Sequence, residues 1–514
     1  MTPTEQSPTT QTYDVVVVGS GGGAMTAAYL AQRAGLSTVV VEKTEFLGGT
    51  SAYSGGACWL PGTQVQQRCG VTADSTESAR TYLGVVLDDA EHPADVAKVE
   101  AFLAQAPRLV ADLESDELIE FESVAFPEYF DAPGRVPAGR SIQPTSVLRP
   151  DLPPEVAALV RPPVERDRVG REGRRTMSGG QALIARLLWA YTRDGGAVLT
   201  NHAVDSLVTD DSGRVTGVVA QTAEGPRTLA AHRGVILAAG GFEHNQSWRD
   251  EHGVPGAAAW SMAPEGTNTG EPIAAAQHLG AATDLMDQGW FCPGLEHPDG
   301  RGSFVLGFRG GVIVDRTGAR FANECLPYDR FGRQMAAGEG RVPAWLVFDS
   351  AEGGRLPAIA IPEGDPAEHL AAGTWVQADS IAALATQLDL PALPDTVERF
   401  NGYAEAGKDA EFGRGDDEYD TFFAGGRGPN AALSPIAQGP FFAARFVLSD
   451  LGTKGGLVTD TAARVLREDG SAIEGLYATA NSSASMAGRA YPGPGVPLGT
   501  AMVFGSLAVQ DLLA

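Results

Sequence analysis

Residues 12–42 read TYDVVVVGSGGGAMTAAYLAQRAGLSTVVVE, and this stretch decides the fold. Tyr13–Val18 ends in four consecutive valines, which is typical of a strand buried on both faces of a parallel sheet. A small-residue segment, Ala24–Ala34, predicts a helix, and Ser37–Val41 is a second β-branched run that ends at Glu42. The stretch therefore predicts a βαβ unit of about 30 residues, the opening unit of an α/β fold.

The turn between the first strand and the helix has the spacing of a dinucleotide-binding loop. Gly19 permits a tight turn, Gly21 lets backbone N–H groups approach a pyrophosphate, and Ala24 lets helix and strand pack closely. Glu42 comes about 18 residues after Ala24, where an acid accepts hydrogen bonds from a ribose. The predicted cofactor-binding residues of this unit are Gly19, Gly21, Gly23, Ala24, Glu42 and Lys43.

A second loop rich in small residues follows directly, with GGTS at residues 48–51 and SGG at residues 54–56. A simple nicotinamide domain has no need of this loop, whereas an extended dinucleotide could continue along it toward a reactive ring. The sequence therefore favours FAD. The predicted FAD-binding residues of this loop are Gly49, Thr50, Ser51, Ser54, Gly55 and Gly56.

Composition narrows the classes of function. The 514 residues carry a formal net charge of −26, which repels polyphosphate, so nucleic acid is not expected as a partner. The four cysteines form no C-x-x-C pair, and no metal site is predicted. The uncharged run Val15–Gln32 contains a glycine turn and polar residues, and the first twelve residues lack a secretory pattern. We therefore predict a cytoplasmic protein without a transmembrane segment.

The change in residue composition along the sequence predicts two lobes. Apolar runs that are typical of strands and are followed by glycines occur in residues 12–288 and 446–514. Aromatic residues and segments broken by proline are more frequent in residues 289–445. We expect a Rossmann-like α/β domain that binds FAD and is formed by the two outer parts. The middle part is expected to be an inserted α+β substrate domain.

The two glycine loops resemble those of the FAD-dependent fumarate reductase and succinate dehydrogenase flavoprotein superfamily. The covalent flavin of succinate dehydrogenases needs a histidine in the second loop, and residues 48–56 contain none, so the resemblance implies noncovalent FAD. Fumarate-reducing members use a His-rich glycine motif late in the chain. Here residues 451–456 read LGTKGG, and all eight histidines lie at or before His369. The late motif therefore lacks the histidine with which fumarate-reducing members bind a dicarboxylate substrate.

The late motifs resemble those of the 3-ketosteroid Δ1-dehydrogenases. They are LGTKGGL at 451–457, GLYATAN at 475–481 and above all YPGPG at 491–495, supported by FPEY at 126–129 and RFANECLPY at 320–328. The resemblance implies Tyr328 as the catalytic base and Tyr129 as its hydrogen-bonded helper. It further implies that Tyr491 and the Gly495 amide hold the substrate ketone. The other implied contacts are Phe126 and Phe304 for a steroid, and Val204, Asn481 and Leu498 for FAD.

The implied chemistry suits these residue types. Desaturation beside a ketone takes a proton from C2 and a hydride from C1, and the forming enolate oxygen must be stabilised by hydrogen-bond donors. Tyr328 would act as a phenolate, although an ordinary tyrosine titrates near ~10, roughly 3 units or ~4 kcal/mol above neutrality. A hydrogen bond donated by Tyr129 favours the charged form, so activity should rise with alkaline pH. The hydride goes to flavin N5, because only the cofactor has that capacity.

The sequence thus predicts an FAD-dependent oxidoreductase of steroid metabolism and lipid degradation, with a quinone or another electron acceptor. A Δ4-dehydrogenase and an enzyme for a non-steroid cyclic enone stay open as alternatives. Two further alternatives stay open. One is a fumarate-reductase-like ene-reductase that catalyses the reverse reaction, and the other is a flavoprotein that binds a ligand or senses redox state without turnover. Peripheral membrane contact also stays open, because steroids partition into lipid, although an acidic chain suits anionic membranes poorly.

Overall fold

The structure is a computed structural model that describes residues 11–89, 94–426 and 428–514, so most of the first twelve residues lie outside the described ranges. The helices in these ranges are α1 Gly22–Arg33, α2 Gln64–Arg68, α3 Thr76–Val86, α4 Val96–Glu114, α5 Pro154–Leu159, α6 Val164–Val169, α7 Gly179–Arg193, α8 Gln246–His252, α9 Glu271–Gln277, α10 Tyr328–Ala336, α11 Pro366–Ala372, α12 Ile381–Leu388, α13 Leu393–Ala406, α14 Glu418–Phe422 and α15 Val496–Leu513. The strands in the same ranges are β1 Gln11–Val18, β2 Thr38–Val41, β3 Cys58–Trp59, β4 Phe121–Ser123, β5 Ser141–Pro144, β6 Val147–Leu148, β7 Thr176–Met177, β8 Ala197–Leu199, β9 Ala203–Thr209, β10 Val215–Thr222, β11 Gly225–Leu237, β12 Thr283–Asp284, β13 Gly289–Leu295, β14 Phe304–Leu306, β15 Val312–Val314, β16 Ala344–Asp349, β17 Ile359–Ile361, β18 Trp375–Ala378, β19 Phe441–Thr453, β20 Gly456–Leu457, β21 Arg464–Leu466 and β22 Ala472–Ala478.

The central sheet has the strand order β21-β22-β11-β1-β2-β8, with β10 paired to β11 and β9 paired to β10. From β22 to β8 the neighbouring strands are parallel. Val15 and Val17 belong to one buried core, and Val16 and Val18 belong to another on the opposite face. A strand covered on both faces needs apolar residues at every position, which is why its sequence does not alternate. The predicted βαβ unit and the α/β class are confirmed.

Helix α15 packs closely against α1. An added Cβ at Gly23 would lie 2.8 Å from the carbonyl oxygen of Ala501, and one at Gly505 would lie 2.7 Å from that of Gly23. Small residues therefore let the two backbones approach. By length and composition α15 is the one described helix that could cross a membrane, yet 61% of its apolar window is buried inside the protein. Its contacts with α1 are those of a core helix.

A second sheet is antiparallel, with the order β13-β19-β16-β15 and β18 paired to β19. Helix α10 lies on β13, where an added Cβ at Gly332 would lie 2.8 Å from the backbone nitrogen of Cys292. Strand β19 runs to Thr453, so the predicted domain boundary between residues 445 and 446 falls inside a strand. This strand leads the chain from the second sheet back toward the central sheet.

Candidate active site

The predicted dinucleotide loop joins the end of β1 to the first turn of α1. Gly19 has a φ of +100°, and an added Cβ would lie 2.3 Å from the carbonyl oxygen of Ala238. Only glycine fits, because the left-handed conformation and the neighbouring backbone both exclude a side chain. Gly21 precedes α1 without a side-chain cap, so the first N–H groups of the helix are oriented to bind an anion. Gly23 and Ala24 are buried in the first turn.

Glu42 ends the βαβ unit and is 6% exposed. One carboxylate oxygen accepts a hydrogen bond from Ser20 Oγ at 2.5 Å, and the other accepts from the backbone N–H of Thr44 at 2.8 Å. The oxygen bound by the Thr44 N–H, Oε1, also accepts from Thr44 Oγ1 at 2.9 Å, so the acceptor capacity left for ribose hydroxyls is on Oε2. Lys43, also predicted to bind the cofactor, forms an ion pair with Glu271 at 3.0 Å.

The second loop packs against the first turn of α1. It contains a short 3-10 helix, Gly49–Tyr53. Ser51 Oγ accepts a hydrogen bond from the N–H of Gly22 at 3.0 Å, which ties the two glycine loops together. Ser54 Oγ donates to the carbonyl oxygen of Ser51 at 2.7 Å and accepts from the N–H of Gly56 at 3.1 Å. The predicted loop residues are therefore adjacent in space to the dinucleotide loop.

Three features of this loop fit a bound dinucleotide. An added Cβ at Gly49 or at Gly55 would meet no atom within 4 Å, so both positions border open space. The Thr50 hydroxyl is buried and has no hydrogen-bond partner among the described residues. A buried polar atom normally finds a partner, and an FAD molecule along the loop would supply one. The residues present fit FAD.

The remaining predicted FAD contacts occupy three different elements. Leu498 lies in the first turn of α15, where its Cδ2 would be 3.0 Å from an added Cβ at Gly22. Asn481 follows β22, and its Oδ1 accepts a hydrogen bond from Trp290 Nε1 at 3.1 Å. Val204 is 6% exposed in β9 of the central sheet. Leu498 thus lies directly beside the dinucleotide loop.

Tyr328 and Tyr491 meet in a buried pair. Tyr328 is the first residue of α10 and is 6% exposed, and Tyr491 is 3% exposed. Tyr328 Oη donates a hydrogen bond to Tyr491 Oη at 2.7 Å, although the two residues are 163 positions apart. The Gly495 N–H lies near the Tyr491 hydroxyl, where it opposes the rise that burial causes in the pKa of Tyr491. The predicted base and the predicted ketone-binding groups therefore converge on one point.

Tyr129 completes a cluster of three tyrosine rings. Its ring centroid lies 5.4 Å from that of Tyr328 and 5.2 Å from that of Tyr491. The Tyr129 hydroxyl is buried and makes no hydrogen bond of good geometry with any described residue. The direct bond of Tyr328 goes to Tyr491, so the role of Tyr129 as hydrogen-bonded helper stays a prediction.

Burial controls the protonation of the cluster. It raises the pKa of the Tyr328 phenol well above its ordinary value, and the nearby Tyr129 hydroxyl works in the opposite direction. Burial likewise raises the pKa of Tyr491, while the hydrogen bond with Tyr328 opposes it. Without a bound ligand, these phenols are therefore neutral at physiological pH.

The YPGPG loop, residues 491–495, is fixed by its own carbonyl groups. The Pro492 carbonyl accepts hydrogen bonds from Tyr82 Oη at 2.6 Å and from the N–H of Tyr129 at 3.1 Å. The Pro494 carbonyl accepts from Ser141 Oγ at 2.5 Å. These bonds connect the loop to the segment that carries Tyr129, so the positions of the tyrosines depend on one another.

Gly495 is held in a conformation that requires glycine. Its φ is +87°, and an added Cβ would lie 2.2 Å from the carbonyl oxygen of Ala57. Its own carbonyl accepts a hydrogen bond from the N–H of Trp59 at 3.0 Å. It also precedes α15, whose first N–H groups have no side-chain cap. The loop therefore presents a fixed N–H donor beside the tyrosine pair.

Further aromatic side chains pack around the cluster. The Phe304 ring centroid lies 4.8 Å from that of Tyr328, and the Phe126 centroid lies 6.3 Å from that of Tyr129. Phe126 also stacks on Phe422 at 5.8 Å, and Phe422 is 43% exposed. The two predicted substrate contacts therefore flank the tyrosines, and the aromatic surface extends to solvent.

The structure adds three residues that the sequence did not single out. Tyr419 on α14 is buried beside Tyr129, with ring centroids 5.5 Å apart, and it lies in a Gly/Asp-rich loop region without a recognisable signal. Trp290 packs against Tyr491 at 4.9 Å. Lys454 lies over the Trp290 ring, with Nζ 4.2 Å from the centroid. Lys454 lies within the LGTKGGL motif at 451–457, but the motif alone does not predict that this lysine is buried over an aromatic ring.

Comparisons with known proteins agree with this geometry. Residues 14–498 match the family described as FAD binding domain. The chain is 41% identical to a 3-oxosteroid 1-dehydrogenase of Rhodococcus opacus, with 97% of this chain and 98% of that protein covered. It is 34% identical to a 4-oxocyclohexanecarboxylate 2-dehydrogenase of Sinomonas cyclohexanicum, with 98% and 93% covered.

A solved structure is similar over nearly the whole chain. It is the 3-ketosteroid delta1-dehydrogenase from Sterolibacterium denitrificans in complex with 1,4-androstadiene-3,17-dione. The TM-score is 0.90 at 34% sequence identity, and the match covers 98% of this chain and 99% of that chain.

Proposed function

The chain belongs to the 3-ketosteroid Δ1-dehydrogenase family of FAD-dependent oxidoreductases, and from this premise we propose that it desaturates the C1–C2 bond of 3-oxo-4-ene steroids. The observation that carries the proposal is the 2.7 Å hydrogen bond between the Tyr328 and Tyr491 hydroxyls beside the Gly495 N–H. This arrangement puts a proton acceptor next to two donors for a ketone oxygen. Proton abstraction beside a ketone needs both.

Tyr491 and Gly495 bind the ketone at C3. The Tyr491 hydroxyl and the Gly495 N–H donate to the ketone oxygen, and both interactions strengthen as the oxygen gains enolate charge. The glycine conformation and the hydrogen-bonded loop carbonyls hold the two donors before substrate arrives. The donors therefore need little rearrangement during the reaction.

Tyr328 takes the proton from C2, the carbon next to the ketone. Burial raises the pKa of its phenol, so only a small fraction is tyrosinate at neutral pH. The nearby Tyr129 hydroxyl opposes this rise in the pKa of Tyr328, because it favours the charged phenolate. When bound, FAD supplies the acceptor for the hydride that leaves C1.

FAD would be held noncovalently by the two glycine loops, residues 19–24 and 48–56. Residues 48–56 contain no histidine that could form a covalent link. The N–H groups of α1 bind the pyrophosphate and Glu42 binds the ribose, with the second loop along the rest of the cofactor. A quinone or a comparable acceptor takes the electrons from the enzyme.

The substrate lies between two lobes. The first lobe comprises residues 12–288 and 446–514, which contribute Phe126, Tyr129 and Tyr491. The inserted lobe, residues 289–445, contributes Phe304 and Tyr328. The aromatic rings of this cleft suit the apolar rings of a steroid.

A second candidate substrate is a single-ring cyclic ketone. The 34% identity to a dehydrogenase named for 4-oxocyclohexanecarboxylate favours it. The tyrosine pair can act on any ring carbon beside a ketone, so the pair does not discriminate ring number. The size of the cleft beyond Phe304 would decide between the two classes.

The test is turnover by the purified yellow holoenzyme with an artificial electron acceptor. We expect androst-4-ene-3,17-dione to yield the 1,4-diene, and acid precipitation of the protein to release the FAD. Tyr328→Phe, with FAD retained, is expected to abolish turnover. Activity on 4-oxocyclohexanecarboxylate without activity on the steroid would replace the first substrate by the second. Turnover of succinate, or desaturation of the C4–C5 bond rather than the C1–C2 bond when the 4,5-saturated 5α-androstane-3,17-dione is supplied, would refute the proposal.

A further inference from the structure

Lys454 is a buried lysine that contacts the backbone just before Tyr491. It follows β19 and is 1% exposed, and it is one of only four lysines in the sequence. Its Nζ donates hydrogen bonds to the carbonyl oxygens of Arg489 at 2.8 Å and Ala490 at 2.9 Å. One ammonium group therefore binds the two peptide groups that lead into the ketone-binding loop.

The same ammonium group faces the segment that carries Tyr328. Asp329 is the next residue, and its Oδ1 lies 3.9 Å from Lys454 Nζ. The other oxygen of Asp329 accepts from Arg333 Nε at 2.9 Å, which fixes the carboxylate on α10. Lys454 thus lies between the elements that contribute the two hydroxyls of the tyrosine pair.

The Trp290 ring completes the contacts of Lys454. Nζ lies 4.2 Å from the Trp290 centroid, a cation–π distance, and Trp290 packs against Tyr491 at 4.9 Å. Nζ is itself 6.0 Å from the Tyr491 ring centroid. Every contact of the ammonium group therefore leads to Tyr491 or to the residue after Tyr328.

A buried ammonium group is expensive, and packing alone does not explain it. A methionine would fill a similar volume without the loss of hydration. Burial lowers the pKa of Lys454 to about 7, and Asp329 opposes this while Arg333 adds to it. The two carbonyl hydrogen bonds and the nearby carboxylate offset part of the cost, which indicates that the group is needed where it is.

We propose that Lys454 is a positioning residue that holds residues 489–491 next to Asp329. It thereby keeps the Tyr491 and Tyr328 hydroxyls in the relative position that the substrate ketone requires. This inference rests on the proposed function, because the relative position of the two hydroxyls matters only if the pair acts on a ketone. Lys454 touches neither substrate nor the reacting atoms in this scheme. It acts through the loop.

The kinetic test compares Lys454→Met, which removes the hydrogen bonds, with Lys454→Arg, which retains a donor and the charge. We expect the maximal rate of flavin reduction by steroid in Lys454→Met to fall about 100-fold, as misplacement near 1 Å commonly costs. Steroid affinity and FAD content should change little, because Lys454 is 1% exposed and its ammonium group is occupied by contacts with protein groups. Lys454→Arg should recover part of the rate. Lys408→Met, at an exposed ion pair with Asp416, is the control and should match the wild type.

Each outcome has a distinct meaning. If the wild type does not oxidise the steroid, the proposed function fails. If the wild type is active and Lys454→Met keeps its maximal rate, the positioning role fails. A rate loss that only follows lost FAD or lost thermal stability, and that arginine does not recover, also overturns it.

A crystal structure of Lys454→Met tests the position without turnover. We expect residues 489–491 to shift and the Tyr328–Tyr491 oxygen distance to exceed 2.7 Å. An unchanged loop and an unchanged tyrosine pair would overturn the inference regardless of the substrate.

Discussion

Replacing Tyr491 by phenylalanine tests the proposed chemistry at a single oxygen atom. Tyr491 Oη lies 2.7 Å from Tyr328 Oη, is near the Gly495 N–H, and belongs to a side chain that is 3% exposed. Phenylalanine keeps the ring and its contact with Trp290, whose centroid is 4.9 Å away. The variant therefore removes the hydrogen-bonding atom and leaves the packing in place.

The two expected losses differ in size and kind. The buried Tyr328 hydroxyl loses its hydrogen-bond partner, which should lower the free energy of unfolding by about 1–3 kcal/mol. Loss of one donor to the forming enolate should lower the flavin-reduction rate about 100- to 1,000-fold, equivalent to about 2.7–4 kcal/mol in the transition state. The kinetic loss should persist at saturating steroid, because the interaction strengthens mainly in the transition state.

Tyr191→Phe provides a matched control. Tyr191 is fully buried, and its Oη lies 2.8 Å from the carbonyl oxygens of Thr38 and Ala197, at the beginnings of β2 and β8. Its loss should lower the unfolding free energy by a similar amount and leave the flavin-reduction rate unchanged. Thermal unfolding of the FAD-loaded protein and single-turnover absorbance of the flavin measure the two quantities. A Tyr491→Phe rate within about three-fold of the wild type would refute the role of Tyr491 in stabilising the enolate.

Three further predictions concern pH and backbone conformation. Because burial raises the pKa of Tyr328, kcat/KM should rise by about one log unit per pH unit up to about pH 10, and a plateau near neutrality in a pH–rate profile would contradict this. Gly495→Ala should lower kcat and the melting temperature, because the added Cβ would lie 2.2 Å from the Ala57 carbonyl oxygen and the residue has a φ of +87°. The left-handed conformation alone costs a non-glycine residue about 1–2 kcal/mol. An unchanged kcat would argue against a role for the Gly495 N–H as a fixed donor. Burial lowers the pKa of His297 and His369 to about 4, so the unfolded chain binds their protons first as pH falls. Denaturant titrations should therefore show stability lost between about pH 6.5 and pH 4, by roughly 3 kcal/mol per histidine at most, and a His297→Gln/His369→Gln variant should lose less.

Local sequence patterns predicted the nucleotide-binding edge correctly. The continuous valines of β1, the glycine turn and the acid at Glu42 each express a requirement that acts within about 30 residues. The family prediction also is confirmed, because motifs such as YPGPG at 491–495 are short and contiguous. The boundary at residue 445 falls inside β19, since a change in composition does not mark the end of a long strand.

The sequence by itself determined the α/β class and the FAD-binding family, and it predicted Tyr129, Tyr328 and Tyr491 as the tyrosines of the active site. Only the tertiary structure decided how those tyrosines meet, because Tyr328 and Tyr491 are 163 positions apart and converge through the packing of α10, β13 and the loop before α15. The same holds for Lys454, whose contacts lie on segments that no local pattern connects to it. Periodicity and turn chemistry are short-range properties of the chain, whereas hydrogen bonds between distant side chains exist only after the core has packed.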